Sequence, residues 1–460
     1  MFTTDDILKA TGGKALTNCP KGFKGISTDS RTVGKGELFI PLVGARFDGH
    51  EFIGDAFKRG ASGAIVEHGR DVAAPDGKCI IEAKDTLRAL QDIAHYIRAA
   101  RKDLLVVGVT GTNGKTTTKE MLASVLSVRG EVLKNEGNLN NEIGLPLTLL
   151  RLEARHWAAV LEMGMSAEGE IRRLARIAEP SVGLITNVGP AHLLSLGSLE
   201  AIARAKGELV DELPADGLPV LNMDDPHLQA LIEKDKARAV TFGVSEDAGV
   251  GASEIEETGE GVSFRLRLPG GSAIVSLPVI GAHNVSNALG AAAAAWAVGM
   301  SLDEITEGLR RFSPVKMRME TVKVGGATVI NDAYNANPAS MAAALTALAS
   351  MRDCRRMAVL GDMLELGEAA ARSHKDAGRL AGSEGLSLLV VMGGHAQDTA
   401  DGAAEAGMDE DNIFIVQTPD EAAAVVAERL RKGDCLLVKG SRGMKMERVV
   451  DAIKTRRLVA

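Results

Sequence analysis

The run TGTNGKTTT at 110–118 follows directly on the apolar stretch LLVVGV at 104–109. This pairing constrains the fold more than any other feature of the chain. It reads as a short strand, a glycine-rich turn and then a helix whose Met121, Leu122, Val125 and Leu126 share one face at 3.6-residue spacing. Such a turn lets backbone N–H groups converge on phosphate oxygens, and the helix N-terminus adds about half a positive charge. Gly111, Thr112, Asn113 and Gly114 would form the cradle, with Thr117 just beyond. Lys115 would neutralise β/γ-phosphates, and the Thr116 hydroxyl would meet Mg²⁺. The spacing departs from the strict phosphate-loop pattern, because Val109 stands where the first glycine is usual.

A strand–loop–helix of this kind belongs in a parallel sheet, and the surrounding sequence supplies one. Strand-like runs (AAVLEMG, SVGLITNV, PVLN) alternate with helical patterns near 116–129, 168–178 and 198–212. The segments VSFRLRL and SAIVSLPVI within 262–280 alternate as antiparallel strands would. A second alternating block runs from ATVIND through RMAVLGD and LSLLVVMGG to CLLVKGS, with helices near 339–351, 368–382 and 419–431. Residues before 104 mix short apolar runs with turn residues and end in a helical stretch, DTLRALQDIAHYIRAA. The expected fold class is therefore α/β in three domains. A small N-terminal α/β module spans 1–103, a central P-loop ATPase-type parallel sheet 104–314, and a C-terminal Rossmann-like domain 315–460. The segment SPVKMRME at 313–320 is the expected connection and hinge.

Composition narrows the function. With 53 basic and 61 acidic side chains the net charge is -8, which argues against a general nucleic-acid or anionic-membrane surface. The longest low-polarity run, LGAAAAAWAVGM at 289–300, is too short to span a bilayer and reads as a buried helix. The N-terminus lacks the apolar core of a signal peptide. Cys19, Cys79, Cys354 and Cys435 lie far apart without a CxxC, so reduced thiols in a cytoplasmic protein are expected rather than disulfides or zinc.

In open α/β sheets ligands gather at the carboxyl ends of strands. The central block delivers Glu162, Asn187 and His192 there, a carboxylate and an imidazole suited to a divalent cation beside a triphosphate. Lys206, fourteen residues after His192, reads by itself as a solvated helix lysine. Asn284 and Asn287 sit one helical turn apart and would either read an adenine edge or cap the helix. The last block delivers Asp332, then Asp362 and Glu365, then Lys439, Ser441 and Arg442. Two α/β domains facing each other across a cleft would bring these sets together.

Together, TGTNGKTTT, LEMGMS, NVGPAH, AKGEL, GAHNVSNALGA and the Asp332 segment resemble the Mur ligase family through all three blocks. Within that family, ISTDSRTVGKGELFIPLVGARFDGHEFI, NEGNLNNEIGLPLTLL, NDAYNANPASM, AVLGDMLELGE and LVKGSRGMKMERVV resemble the branch that joins D-alanyl-D-alanine to UDP-N-acetylmuramoyl-tripeptide. Asn331 stands where that branch usually has a second Asp before Asp332.

The resemblance implies an ATP-dependent amide ligase with Mg²⁺ in peptidoglycan precursor synthesis. A monomer is expected, with those two substrates as partners, without nucleic acid and without membrane insertion. It implies Mg²⁺ ligation by Thr116, Glu162 and His192, and a carbamylated Lys206 supporting the metal. Asn284 and Asn287 would touch adenine, Arg318 the phosphates and Asp332 the ribose. Ser30, Arg31, Arg46 and His50 would meet the UDP-sugar, Asn138, Asn140 and Asn141 the muramoyl-peptide, and Lys439, Ser441 and Arg442 the dipeptide. The residues alone leave three alternatives open: a sister amide ligase, a P-loop switch or motor, and a kinase.

Overall fold

The computed structural model describes residues 2–70, 72–73, 75–190, 196–259 and 261–455. Three main sheets follow one another along the chain. The first has five strands, with Lys14–Ala15 antiparallel to Cys79–Ala83, followed by Gly63–Glu67, Leu38–Phe39 and Ile26–Ser27 in parallel. The second has nine strands, in the order Glu131–Lys134, His156–Glu162, Leu105–Thr110, Val182–Ile185, Leu218–Asn222, Val240–Gly243, Val250–Thr258, Gly261–Leu268, Gly271–Leu277. Only the last three form an antiparallel meander, in the stretch where the sequence alternates that way. The third sheet has six strands: Glu320–Val324 runs antiparallel to Ala327–Asp332, and Cys435–Lys439, Arg356–Gly361, Leu388–Met392 and Ile413–Val416 follow in parallel. The sequence pattern did not distinguish the edge strand at 320–324 from the connection before it.

The nine-stranded sheet winds outward in both directions from Leu105–Thr110. Its neighbours are His156–Glu162 on one side and Val182–Ile185 on the other, so the strand order reverses there and opens a crevice beyond its carboxyl end. Val106, Val107 and Val109 on this strand are fully buried, as expected of a strand covered on both faces. The Ala-rich run forms the helix His283–Ala297, which packs on the loop helix Lys115–Leu126. Small side chains let the two helices approach closely enough for both to lie on the sheet. At the far end of the loop helix, Ser124 Oγ donates to the Gly308 carbonyl at 2.7 Å, and a Cβ on Gly308 would lie 2.3 Å from Val125 Cα.

The first module is tied to the second sheet's helices by one buried arginine. Arg98, near the end of the helix Thr86–Ala99, donates from Nε to the Ala178 carbonyl at 2.8 Å and from Nη2 to the Glu179 carbonyl at 2.8 Å. A guanidinium thus satisfies the free carbonyls at the C-terminus of the helix Glu170–Ala178, where the dipole is negative. One expectation fails in this module. Cys19 and Cys79 form a disulfide, with Cα atoms 4.6 Å apart. Sixty residues of sequence hid the fact that the first strand's loop returns beside the last strand. Cys354 and Cys435 are free thiols, as expected, and burial foremost pushes the Cys435 thiol up to about 12. Among the described residues no helix is long and apolar enough to cross a membrane.

Candidate active site

The crevice is built around the loop after Leu105–Thr110. Gly111 has φ +150°, and a Cβ there would lie 1.8 Å from Thr186 Oγ1. Gly114 has φ +79° and caps the loop helix, and its Cβ would lie 2.1 Å from Asn287 Oδ1. Both positions therefore require glycine on steric grounds. The loop is braced by the end of the adjacent strand. Thr112 N donates to the Asn187 carbonyl (2.9 Å), Asn113 N to Asn187 Oδ1 (2.8 Å), and Thr186 Oγ1 to the Asn113 carbonyl (2.6 Å). Lys115 folds back over the loop, donating from Nζ to the carbonyls of Gly111 (2.8 Å) and Thr112 (3.0 Å). Burial lowers its pKa, opposed by the nearby Glu162 and reinforced by Arg318. Thr117 is buried in the helix's first turn.

Glu162 ends the neighbouring strand and is 3% exposed. Its Oε2 accepts the Thr116 hydroxyl at 2.7 Å and its Oε1 accepts Asn140 Nδ2 at 2.8 Å. Asn135 fixes its backbone, with Oδ1 accepting Glu162 N (2.9 Å) and Nδ2 donating to the Glu162 carbonyl (2.9 Å). This is a buried carboxylate held by neutral donors, beside a hydroxyl. Hard oxygen ligands of this kind fit Mg²⁺. Among the described residues no group of three His, Cys, Asp or Glu side chains comes together to hold a metal. His192 lies outside the described residues.

Lys206 is not a surface lysine. It is 3% exposed on the helix Leu199–Asp211, and no hydrogen bond or ion pair engages its ammonium among the described residues. Burial, aided by the Lys115 charge, pushes its pKa well below the ordinary lysine value.

Asn284 and Asn287 do lie on one helix face, but both amides are engaged inside the protein. Asn287 Nδ2 donates to Asn284 Oδ1 (3.0 Å) and its Oδ1 accepts the Thr118 hydroxyl (3.3 Å). Asn284 Nδ2 donates to the Ile280 carbonyl (2.8 Å). Asn287 thereby backs Gly114 and Thr118 at the start of the loop helix, with Asn284 behind it. Arg318 stacks on Tyr334, its guanidinium carbon 4.0 Å from the ring centroid. It sits between Met317 (φ +58°) and Met319 (φ +51°), both in the left-handed region that favours glycine. The Glu320 and Asp332 carboxylates hold those two backbone amides, at 3.0 and 3.1 Å.

The third sheet brings Asp332 and Lys439 together as a close ion pair, and Lys439 Nζ also donates to the Asn335 carbonyl at 3.1 Å. Lys439 is 2% exposed, its ammonium engaged within the third unit. Ser441 is likewise buried, donating to the Ala336 carbonyl (3.2 Å) and accepting Leu364 N (2.9 Å). Arg442 is exposed and reaches Glu447 at 3.1 Å. Asp362 accepts two backbone amides, Gly394 N (2.7 Å) and His395 N (3.1 Å).

In the first module Arg31 pairs with Asp29 at 2.8 Å, and this bond foremost holds the Asp29 carboxyl down to about 2. Ser30 is half-buried beside it. Arg46 is exposed in the turn of the hairpin Val43–Asp48, together with Val43 and Phe47. His50 has both ring nitrogens engaged: Nδ1 lies 2.7 Å from Asp48 Oδ1, and Nε2 accepts Glu67 N at 3.2 Å. Asn138 is exposed, and Asn141 Oδ1 accepts Gly144 N at 2.8 Å where the short helix Gly144–Leu149 begins.

Two groups escaped the sequence reading. Asn135 clamps Glu162, and Asn337 pairs with Asn113 across the contact between the second and third sheets, Asn337 Nδ2 donating to Asn113 Oδ1 at 2.8 Å. The Asn-Pro-x-Ser pattern at 337–340 is a readable helix start, but nothing in it points to the phosphate loop.

A P-loop sheet with a buried carboxylate at its switch point, facing a second α/β unit, defines a class of nucleotide-dependent enzymes. Family comparisons resolve which class. The "Mur ligase family, catalytic domain" matches residues 22–101, the "Mur ligase middle domain" 109–295, and the "Mur ligase, glutamate ligase domain" 317–442. The chain belongs to the Mur ligase family, whose members are ATP-dependent ligases. It is 38% identical to the UDP-N-acetylmuramoyl-tripeptide–D-alanyl-D-alanine ligase of Bacillus subtilis, over 93% of this chain and 92% of that one. It is 36% identical to the enzyme of the same name from Escherichia coli, over 93% of each. Among solved structures, MurF from Acinetobacter baumannii superposes with a TM-score of 0.91 at 34% identity, over 99% of both chains. The MurF ligase from Thermotoga maritima in complex with ADP gives 0.83 at 28% identity, over 94% of this chain and 97% of that one.

Proposed function

We propose that the chain uses ATP to join D-alanyl-D-alanine to UDP-N-acetylmuramoyl-tripeptide, giving the UDP-linked pentapeptide, ADP and phosphate. The observation that carries this reading is the Lys115–Thr116–Glu162 constellation at the sheet's switch point, in a chain that matches ligases of that specificity along nearly their whole length. The site works in the compartment that supplies ATP and the UDP-linked precursor, the cytoplasm, and the chain acts as a monomer.

The chemistry follows from the electrophile. A carboxylate resists attack by an amine, so its oxygen must first become a leaving group. A tripeptide carboxylate oxygen attacks the γ-phosphorus, and the bond to the β-bridging oxygen breaks to release ADP. The dipeptide amine then attacks the acyl carbon, and phosphate leaves with the acyl oxygen. Both steps crowd anions together. Lys115 swings from its loop carbonyls to the phosphates and neutralises them, and the loop amides fix the in-line geometry. Arg318, near Lys115, adds a second cation for the phosphates. Thr116 and Glu162, with His192, would hold Mg²⁺, which screens the phosphate oxygens when bound.

Lys206 acts as a carbamate in this reading. Only a neutral amine adds CO₂, and a buried lysine without an anionic partner favours the neutral form. The adduct would place an anion beside Lys115, where it would support Mg²⁺ when that ion is bound.

The test traps the intermediate. With ATP, UDP-tripeptide and hydroxylamine but no dipeptide, the protein should yield the tripeptide hydroxamate. Lys115→Ala should yield none. ATP consumption that leaves the tripeptide carboxyl unmodified would remove the reading.

A further inference from the structure

The helix Pro338–Ala349 runs along the contact between the nine-stranded and six-stranded units, and its two ends differ in chemistry. Twelve residues span about 18 Å. At the C-terminal end the contact is mainly apolar, with one exposed hydrogen bond beside it, from Ser350 Oγ to Glu257 Oε2 at 3.2 Å. Ile280 of the central unit packs in one cluster with Leu345, Ala347, Leu348 and Met351, and a Cβ on Gly281 would lie 3.2 Å from Ala347 Cβ. At the N-terminal end the contact is polar and meets the phosphate loop. Asn337 Nδ2 donates to Asn113 Oδ1 at 2.8 Å, and Asn113 Nδ2 approaches Asn337 Oδ1 at 3.4 Å.

The two amides are pre-set by their own units. The Asn113 backbone is fixed by Thr186 and Asn187 on the central sheet. Asn337 is the helix cap, its Oδ1 accepting Ser340 N at 2.9 Å while the Ser340 hydroxyl accepts Asn337 N at 3.0 Å. An apolar pivot resists separation, whereas amide hydrogen bonds exchange with water at small net cost. The helix is therefore anchored at one end and releasable at the other.

We propose that Asn337 is a positioning residue: through Asn113 it latches the C-terminal unit onto the phosphate loop for the step in which the dipeptide amine attacks. This rests on the ligase reading above. The first step, phosphorylation of the tripeptide carboxylate, draws on the loop and on Arg318, which Tyr334 and the Glu320 and Asp332 contacts to its neighbours hold independently of Asn337. The second needs a nucleophile delivered from the other unit, and a loosened latch misplaces it.

The experiment separates the two steps. Asn337→Ser and Asn337→Thr keep a helix cap but are too short to reach Asn113. Each is assayed for amide formation with D-alanyl-D-alanine, for hydroxamate formation without it, and for thermal unfolding. The latch predicts an unchanged melting temperature, hydroxamate formation within about twofold of wild type, and amide formation slower by about tenfold, the scale of two neutral hydrogen bonds. Asn113→Ala combined with Asn337→Ser should form amide no more slowly than Asn113→Ala alone. Wild-type amide rates in the capped variants, equal losses in both assays, or losses that multiply in the double variant would each overturn the latch. A wild-type protein that forms no amide would instead overturn the ligase reading.

Discussion

Thr116 donates its hydroxyl to the Glu162 carboxylate across 2.7 Å, joining the first turn of the loop helix to the end of the neighbouring strand. The carboxylate has no cation in direct contact among the described residues, and a buried anion without one is costly. A bound divalent cation resolves that cost, and the two oxygens already converge where the loop would hold a triphosphate.

Glu162→Gln tests this directly. The amide keeps the size and one acceptor oxygen, so folding should survive, with a melting temperature near wild type. Ligation at fixed Mg²⁺ should fall by roughly 10²-fold or more, and the Mg²⁺ concentration needed for half-maximal rate should rise. Unchanged Mg²⁺ dependence would separate Glu162 from the metal.

Lys206→Ala should cripple ligation, and short carboxylic acids should restore part of it by filling the vacated space. Lys206→Arg should remain inactive, because a guanidinium cannot form the CO₂ adduct. Full ligation by Lys206→Arg in CO₂-depleted buffer would end the carbamate assignment.

A third prediction concerns pH. Glu304 caps the helix Leu302–Arg310 and binds Arg129 through both oxygens, each at 2.7 Å. The Arg129 bond foremost holds its carboxyl down to about 2, from an ordinary 4.5. A depressed carboxyl stabilises the fold above the unfolded value and loses that contribution as pH falls through the folded one. Glu304→Gln should therefore be less stable than wild type at pH 7. In acid titrations followed by circular dichroism, the gap should close between about pH 4.5 and pH 2. A gap that is constant across that window would mean the charge contributes nothing.

The Cys19–Cys79 bridge closes a long loop, its ends 60 positions apart in sequence. Reduction, or Cys19→Ser, should destabilise the first module by on the order of 2–4 kcal/mol. Nucleotide binding by the central unit should persist. Identical calorimetric traces with and without reductant would show that the bridge is not formed in solution.

Much of this fold was written locally. The loop at 110–118, the strands flanking it and the Ala-rich helix all carry their periodicity in a few adjacent residues. The edge strand at 320–324 did not, because its pairing with Ala327–Asp332 depends on a Gly325–Gly326 turn rather than on pattern. The disulfide was invisible for the same reason at longer range. In the site, Lys115 and Glu162 were legible as chemistry-bearing residues at strand ends. The burial of Lys206, the engagement of both His50 nitrogens and the enclosure of Lys439 were not, because each depends on what packs around the residue. Asn337 escaped too: it caps a helix within its own unit, and only the meeting of two units reveals its second partner.

The central claim is that ATP cleavage here is committed to one amide bond. Phosphate release should be measured against a matrix of UDP-muramoyl peptides and amine acceptors, with product mass recorded for each pair. The account predicts rapid release only when UDP-N-acetylmuramoyl-tripeptide and D-alanyl-D-alanine are both present, with one amide formed per phosphate. Equal release without the dipeptide, or a faster reaction with another amino acid or a shorter UDP-peptide, would contradict it.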